Sequence, residues 1–539
     1  MNKIRYIIFV ASVLMFAQCS EEFLERDNPA ASTLENFYQT ENDFDLALAG
    51  VYNLLVRADY YNGRLVHYLE IASDDANPGD DALFNSLLGN DINDFTMTPE
   101  SYTTLNIFAS SYIGIARANT TVDRIKISEL SEVFKTQIEA ESRFLRALYY
   151  FNLVRIYGNV PLILKEVTDP KEAQIPRTPV QMVYEQGIIP DLLFAAENLP
   201  PSYSNEDIAR VTNWAAKGLL SKVYLTMGSF NSSYYQNARE LLWEIISSDK
   251  FALEEDFTSL YARENEFGKE SLFEINFMSG QYFYNFEGYG IGAYNPQRNG
   301  IGSYYNNFYM PRFRGSAYMG EEGAFARGGF GIGIPTTSND PRGENYNVPA
   351  GTAIVELFAE GDLRKEVTIL DYYTTAEEEG LPVDYDIAPF NVNKYTDYEE
   401  TENGEADDNF FILRLADVYL MFAEAENEIN NGPTPDAYEY LNKIKRRAFG
   451  LPIHETSDLD YNNLDYMQFL DKVYHERRLE LAFEGQRWFD LIRRPQRAIQ
   501  ILQAQGKSNV TEHRLFLPIP QYVIEETEGV ITQNPGYYQ

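Results

Sequence analysis

Cysteine is almost absent: Cys19 is the only one in 539 residues. No intramolecular disulfide can form, and no cysteine-ligated zinc or iron–sulfur site is possible. Histidine is nearly as scarce, with four residues, so a histidine-rich metal centre is disfavoured. Cations are outnumbered, 44 Lys and Arg against 81 Asp and Glu, for a net charge of −37. That balance argues against wrapping nucleic acid, where many phosphates must be neutralised. It argues equally against a polybasic membrane-surface binder. Beyond the N-terminus no run of 18 apolar residues occurs, so no second membrane element is expected. What is abundant is aromatic surface: 14% Phe, Trp and Tyr within 44% apolar residues, too rich for a disordered chain.

The N-terminus reads as an export signal over residues 1–18. Lys3 and Arg5 precede an apolar run from Tyr6 to Phe16. The run is too short to span a bilayer and fits a secretory h-region. Cys19 follows directly, in Phe16-Ala17-Gln18-Cys19, and resembles the lipidated cysteine of a bacterial lipobox. Gln18 departs from the small residue usual there. Two or more acyl chains on Cys19 would give a stable membrane anchor. Ser20-Glu21-Glu22 resembles the acidic surface-export signal of Bacteroidetes lipoproteins.

Apolar spacing predicts helices over 43–56, 104–127, 135–157, 179–199, 213–227, 235–247, 414–430, 435–448 and 466–492. They come in pairs, and Ala147-x3-Phe151, Ala216-x3-Leu220 and Ala416-x3-Leu420 are similar to the close-packing positions of tetratricopeptide units. The fold class expected is mainly α: a tetratricopeptide-like α-α superhelix of helical pairs carrying a large irregular, loop-rich insertion. The division expected is a helical region over 19–270 and a second over 271–539. Within the latter, residues 280–333 hold 13 of the 34 glycines and 14 aromatics, and no Trp, Asp or Lys. Residues 60–99 and 374–409 also read as irregular. Trp214, Trp243 and Trp488 all fall in predicted helices and are expected to pack the core.

Gly288-Tyr-Gly290-Ile-Gly292 neither follows a strand nor opens a helix, as a dinucleotide site requires. There is no Gly-x-Ser-x-Gly elbow. His475-Glu476-Arg477-Arg478-Leu479 lacks the second histidine of a zinc protease. Glu480 and Glu484, four apart on one helix face, could form an acid–base couple, but pairing with Arg477 and Arg487 is the preferred reading. Asp74, Asp75, Asp80 and Asp81, near Asp91 and Asp94, could offer oxygen ligands to Ca2+. Their spacing fits no EF-hand, and a solvated acidic loop is preferred. No cofactor is expected.

Three stretches together resemble the SusD/RagB family of Bacteroidetes outer-membrane lipoproteins. They are Arg143-Phe-Leu-Arg-Ala-Leu-Tyr-Tyr-Phe-Asn-Leu-Val-Arg-Ile-Tyr-Gly-Asn-Val-Pro161, Arg477-Arg-Leu-Glu-Leu-Ala-Phe-Glu-Gly-Gln-Arg-Trp-Phe-Asp-Leu-Ile-Arg493, and Leu517-Pro-Ile-Pro520 with Gln533-Asn-Pro-Gly-Tyr537. Ala416-Asp-Val-Tyr-Leu-Met-Phe-Ala-Glu-Ala425 agrees with them. The resemblance implies a lipid-anchored protein of the outer membrane, facing the cell exterior. It implies capture of oligosaccharides, or in some branches peptides, and their delivery to a SusC-like TonB-dependent β-barrel transporter. A helical-fold glycoside hydrolase is the reading from another class; it needs two carboxylates ~5–10 Å apart across a cleft.

The resemblance also implies a ligand platform of Trp and Tyr in the first loop and the central insertion. Those loops have no Trp here, so a tyrosine platform is expected: Tyr282, Tyr284, Tyr289, Tyr294, Tyr304 and Tyr305, with Tyr61, Phe84 and Asn85 from the first loop. Arg298, Arg312 and Arg314 stand among these tyrosines. They either fork onto a uronate or sulfate, or pair with Glu287, Glu321 and Glu322 and stitch the loops.

Overall fold

A computed structural model describes residues 37–78, 89–282, 300–301, 332–337, 347–378, 389–395 and 407–538. Helices dominate. The N-terminal set comprises α1 (Glu41–Tyr52), α2 (Arg64–Ala72), α3 (Tyr102–Ile127), α4 (Glu132–Tyr157), α5 (Ile189–Asn198), α6 (Asn213–Gly228) and α7 (Ser233–Ile246). The C-terminal set comprises α8 (Leu415–Asn430), α9 (Pro435–Ala448), α10 (Tyr466–Glu480), α11 (Arg487–Ile492) and α12 (Pro495–Ala504). Helices α3 and α4 pack along their lengths, as do α6 and α7, and α8 and α9. This is the expected paired-helix scaffold. Helix α7 also packs on α8, so both sets share one core.

The best-signalled helix, α4, shows why the pattern was readable. Ser131 caps its start by accepting from the Phe134 amide, and Gly158, at φ 72°, ends it in a conformation costly for other residues. Where one helix was expected over 179–199, the chain makes a turn of α-helix, a π turn at Tyr184–Ile188, then α5. Pro190 explains the interruption: its ring clashes with the carbonyl four residues earlier in a regular helix, and a π turn relieves this.

Two further expectations are corrected. Residues 60–99 are not wholly irregular, because α2 lies within them. It is buried nearly all round, from Leu65 to Ala72, so it has no polar stripe to betray it. Residues 466–492 are not one helix. The chain breaks between α10 and α11, where Phe483 and Gly485 take φ of 60° and 67°. The break turns the Gly485 amide onto buried Glu70 Oε1 at 2.8 Å.

Strands are short and form two-stranded ladders among the described residues: β1 (Ser271–Ile275), β2 (Met278–Tyr282), β3 (Gly300–Ile301), β4 (Thr336–Thr337), β5 (Asn347–Val348), β6 (Ile369–Asp371), β7 (Phe390–Val392) and β8 (Phe410–Arg414). The antiparallel β1–β8 ladder closes the neck of the central insertion. Gly218 of α6 lets this ladder approach closely; a Cβ there would stand 2.1 Å from Leu413 Cδ2. Trp488 is fully buried, as expected. Trp243 is not: 36% of it is exposed, because its position on α7 lies at the rim of the α8–α9 face. No helix among the described residues is long and apolar enough to cross a membrane.

Candidate functional site

The first loop and the central insertion, the two stretches expected to carry ligand contacts, meet in the backbone. Asn77 and Gly333 exchange hydrogen bonds, amide to carbonyl, at 2.9 and 3.2 Å. Gly333 also bridges Asn391, and the Ile334 amide donates to the Phe390 carbonyl at 2.9 Å. Three segments far apart in sequence are thus stitched at one point.

The stem of the first loop is clamped from the C-terminal helices. Arg487 Nε and Nη2 donate to the two oxygens of Asp74 at 2.7 and 2.8 Å, a bidentate fork. Arg478 reaches Asp75 Oδ1 at 2.6 Å and the Thr352 carbonyl at 3.2 Å. Lys507 Nζ donates to the carbonyls of Ile71, Ser73 and Ala76 at 2.5, 2.6 and 3.3 Å. Burial would lift the Asp74 carboxyl, but Arg478 and Arg487 outweigh it and hold the group below the usual carboxylate range. Burial brings the Lys507 ammonium down to about 7, against the pull of Asp74, Asp75 and Asp94.

This corrects the reading of Asp74 and Asp75 as calcium ligands or loop solvation. Both are buried and their charge is answered by arginines. Asp80 and Asp81 lie outside the described residues; among those described, no cluster of His, Cys, Asp or Glu is arranged to hold a metal ion.

Tyr61 is also corrected. It is buried, accepts from Asn152 Nδ2 at 2.9 Å and meets Tyr60 edge-on at 5.1 Å. It lines an internal cavity of about 20 Å3, room for one water at most. The ring is scaffold because the turn after α1 tucks inward against α4. Tyr282 is the last residue of β2, its backbone opposite Gly300. Cys19, Phe84, Asn85, Tyr284, Tyr289, Tyr294, Arg298, Tyr304, Tyr305, Arg312 and Arg314 lie outside the described residues.

Beside the clamped stem runs an open groove of about 490 Å3, a size suited to small ligands. One wall is the α10 face of Asp471, Tyr474, His475 and Arg478; the other is α12; Asp74 and Thr352 close one end.

The carboxylate couple at Glu480 and Glu484 is buried among cations. Arg414 donates to Glu480 Oε1 at 2.7 Å and to Glu484 at 2.8 and 2.9 Å. Arg447 also pairs Glu480, and Lys394 pairs Glu484. Burial opposes ionisation, yet these cations with Arg364 bring Glu480 down to about 2 and lower Glu484 as well. Structural pairing therefore holds, but not with the expected partners. Arg477 binds Asp417 and Asp490, and Arg487 binds Asp74. Neither carboxyl is free to exchange a proton with substrate near neutral pH. Lys507, Asn77 and Gly333 carried no signal in the sequence, because each acts through backbone groups of distant segments.

Comparison with known proteins agrees across nearly the whole chain. Residues 269–537 match the model of the SusD family. Residues 22–225 match a second model, described as starch-binding associating with outer membrane. SusD-like protein P25 of Formosa agariphila is 27% identical over 99% of this chain and all of that one. A laminarin-binding SusD-like protein superposes with a TM-score of 0.72 at 28% identity, covering 93% of this chain and 100% of that one. Surface glycan-binding protein A from Bacteroides thetaiotaomicron, in complex with laminarihexaose, has the same fold, with a TM-score of 0.72 at 22% identity over 92% and 99% of the two chains. With both halves matched and the paired-helix scaffold shared, this chain belongs to the SusD family.

Proposed function

We propose that this protein is a lipid-anchored glycan-binding protein of the outer cell surface. It captures oligosaccharides and passes them to a SusC-like TonB-dependent β-barrel transporter. The observation that carries the reading is the end-to-end match to a family with solved glycan-binding members. The clamped stem supports it physically. Binding loops need a rigid base, and here the first loop and the insertion share one at Asn77 and Gly333. Among the described residues no helix is long and apolar enough to cross a membrane, and a barrel partner would supply the passage.

Binding without hydrolysis is the expected behaviour. Glu480 and Glu484, the carboxylate pair singled out in the sequence, are locked in ion pairs. The test is calorimetry of the full chain against laminarin, amylopectin and polygalacturonate, with reducing ends counted after long incubation. Heat of binding with no new reducing ends is expected. Peptide binding with no glycan binding would transfer the protein to the peptide-capturing branch. Co-purification with a barrel transporter under mild detergent tests the delivery step.

A further inference from the structure

Trp243 is the tryptophan that the scaffold leaves open to solvent. Its indole lies on buried Phe422 with centroids 5.7 Å apart and planes tilted by 32°. Tyr440 stands nearly perpendicular to it, at 6.4 Å and 79°, and also meets Phe422 edge-on at 5.3 Å. Helices α7, α8 and α9 therefore build an aromatic corner, with the indole as floor and the phenol as wall.

Trp243 is 36% exposed, so part of the indole faces solvent. A group seated there would stand about 9 Å from Phe422, one van der Waals contact beyond the indole. The Arg239 guanidinium is 5.8 Å from the centroids of both Trp243 and Phe422. Equal distances put it at the flank of the pair, not on the outer face. Arg239 is held there by Glu426, Nε to Oε1 at 2.7 Å.

The rim is polar and mostly acidic. Burial, then Asp436, Glu439 and Asp249, raise the pKa of the Tyr440 hydroxyl, so these carboxylates stand around it. Lys443 Nζ sits 4.7 Å from the Tyr440 ring and 3.7 Å from Glu439.

A large apolar ring facing water gains by being covered. The cover this rim suits has a flat C–H face and many hydroxyls. Carboxylates accept from hydroxyls, and Arg239 and Lys443 donate to them. The same acidic rim repels a polyanion. We propose that the Trp243–Tyr440 corner is a second glycan subsite, built on the helical scaffold away from the loops, for a neutral hexose chain. The proposal rests on the glycan-binding reading above and deepens it: a second foothold would hold a long polysaccharide by avidity.

The test reads Trp243 directly. Iodide quenching of intrinsic fluorescence is measured on the full chain and on W243F, with laminarin, amylopectin and polygalacturonate as probes and calorimetry in parallel. A neutral glucan should shield wild type from iodide, and W243F should lose that protection. W243A should weaken binding of the same polysaccharide by ~5-fold, the size of one aromatic contact, with its circular dichroism unchanged. A glucan that binds by calorimetry yet leaves Trp243 quenching and W243A affinity unchanged overturns the subsite and spares the glycan reading. Shielding by polygalacturonate alone overturns the neutral-chain assignment. No binding by any probe sinks both readings together.

Discussion

Arg487 grips Asp74 through a two-point fork although they lie 413 positions apart in the chain. The pair is buried, and it ties the second family motif to the stem of the first loop. Removing Arg487 leaves Asp74 only Arg478, at 3.2 Å and already shared with Asp75, so a buried charge is under-compensated, at a cost of up to ~3–5 kcal/mol. Arg487→Ala should therefore lower the denaturant midpoint sharply. Arg487→Lys should recover only part of the loss, because an ammonium cannot reproduce the fork. If the double variant Asp74→Asn/Arg487→Met is as unstable as Arg487→Ala, the loss is not one of uncompensated charge.

Glycines 50 and 218 make an opposed pair of tests. Both lie inside helices, where Ala is favoured over Gly by up to ~1 kcal/mol. A Cβ at Gly50 would meet only Arg117 Nη1, at 3.9 Å, so Gly50→Ala should stabilise the protein by about 0.5–1 kcal/mol. At Gly218 the Cβ would drive into Leu413 at 2.1 Å and Leu272 at 3.2 Å. Overpacking costs ~1–3 kcal/mol and outweighs propensity there. Gly218→Ala should destabilise the protein, and paired thermal melts read the difference in sign.

These positions show what the sequence could and could not disclose. Helices α3, α4, α6, α8 and α9 were legible because each keeps its apolar residues at helical spacing, and α4, α6 and α9 also carry side-chain N-caps at Ser131, Thr212 and Thr434. Helix α2 was hidden by burial on all sides, and the break at Phe483–Gly485 by an apolar pattern that runs through it. For the candidate site, the motif arginines were visible but their partners were not. Local spacing offered Glu480 and Glu484 to Arg477 and Arg487. The folded chain instead satisfies those glutamates from Arg414, Arg447 and Lys394, which arrive from other elements. Tyr61 looked like a loop aromatic, and only the inward path of its turn makes it core. Trp243 looked like core because a helix position does not say how deep its face lies.

Attachment to the membrane is expected to depend on Cys19. The sequence offers no second long apolar run, and no described helix can span a bilayer. Cys19→Ala should therefore move the protein from the outer-membrane fraction to the soluble one in cells lacking the barrel partner. Persistence of the variant in washed outer membranes would count against a lipid anchor.

Stability should bend with pH in opposite directions at the two ends of the range. Glu480 titrates at about 2 in the folded protein against an ordinary 4.5. Its contribution is present above 4.5 and is lost as pH falls through 2. Glu70 is the reverse. It is buried, its Oε2 has no hydrogen-bond partner, and burial raises it to about 8 in spite of the Gly485 amide. The folded state then binds more protons between 4.5 and 8, so this contribution is full below 4.5 and drains away as pH rises through 8. Glu266 and Asp408, raised chiefly by burial to about 7 and about 6, act in the same direction. Lys507 opposes them only above 7, where the unfolded chain holds its proton more tightly than the folded one. Glu266, Asp408 and the buried His67, lowered by burial to about 3, also contribute between pH 5 and 7, so the share of Glu70 there is read as a difference against a variant that cannot ionise. Glu70→Gln keeps an acceptor for Gly485 and carries no charge. It should raise stability at pH 7 by on the order of 1–3 kcal/mol and flatten the decline between pH 5 and 7, without abolishing the shares of Glu266 and Asp408. Denaturant midpoints at pH 5, 6 and 7 for the two proteins measure this, and parallel curves would mean that Glu70 is ionised in the folded state at all three.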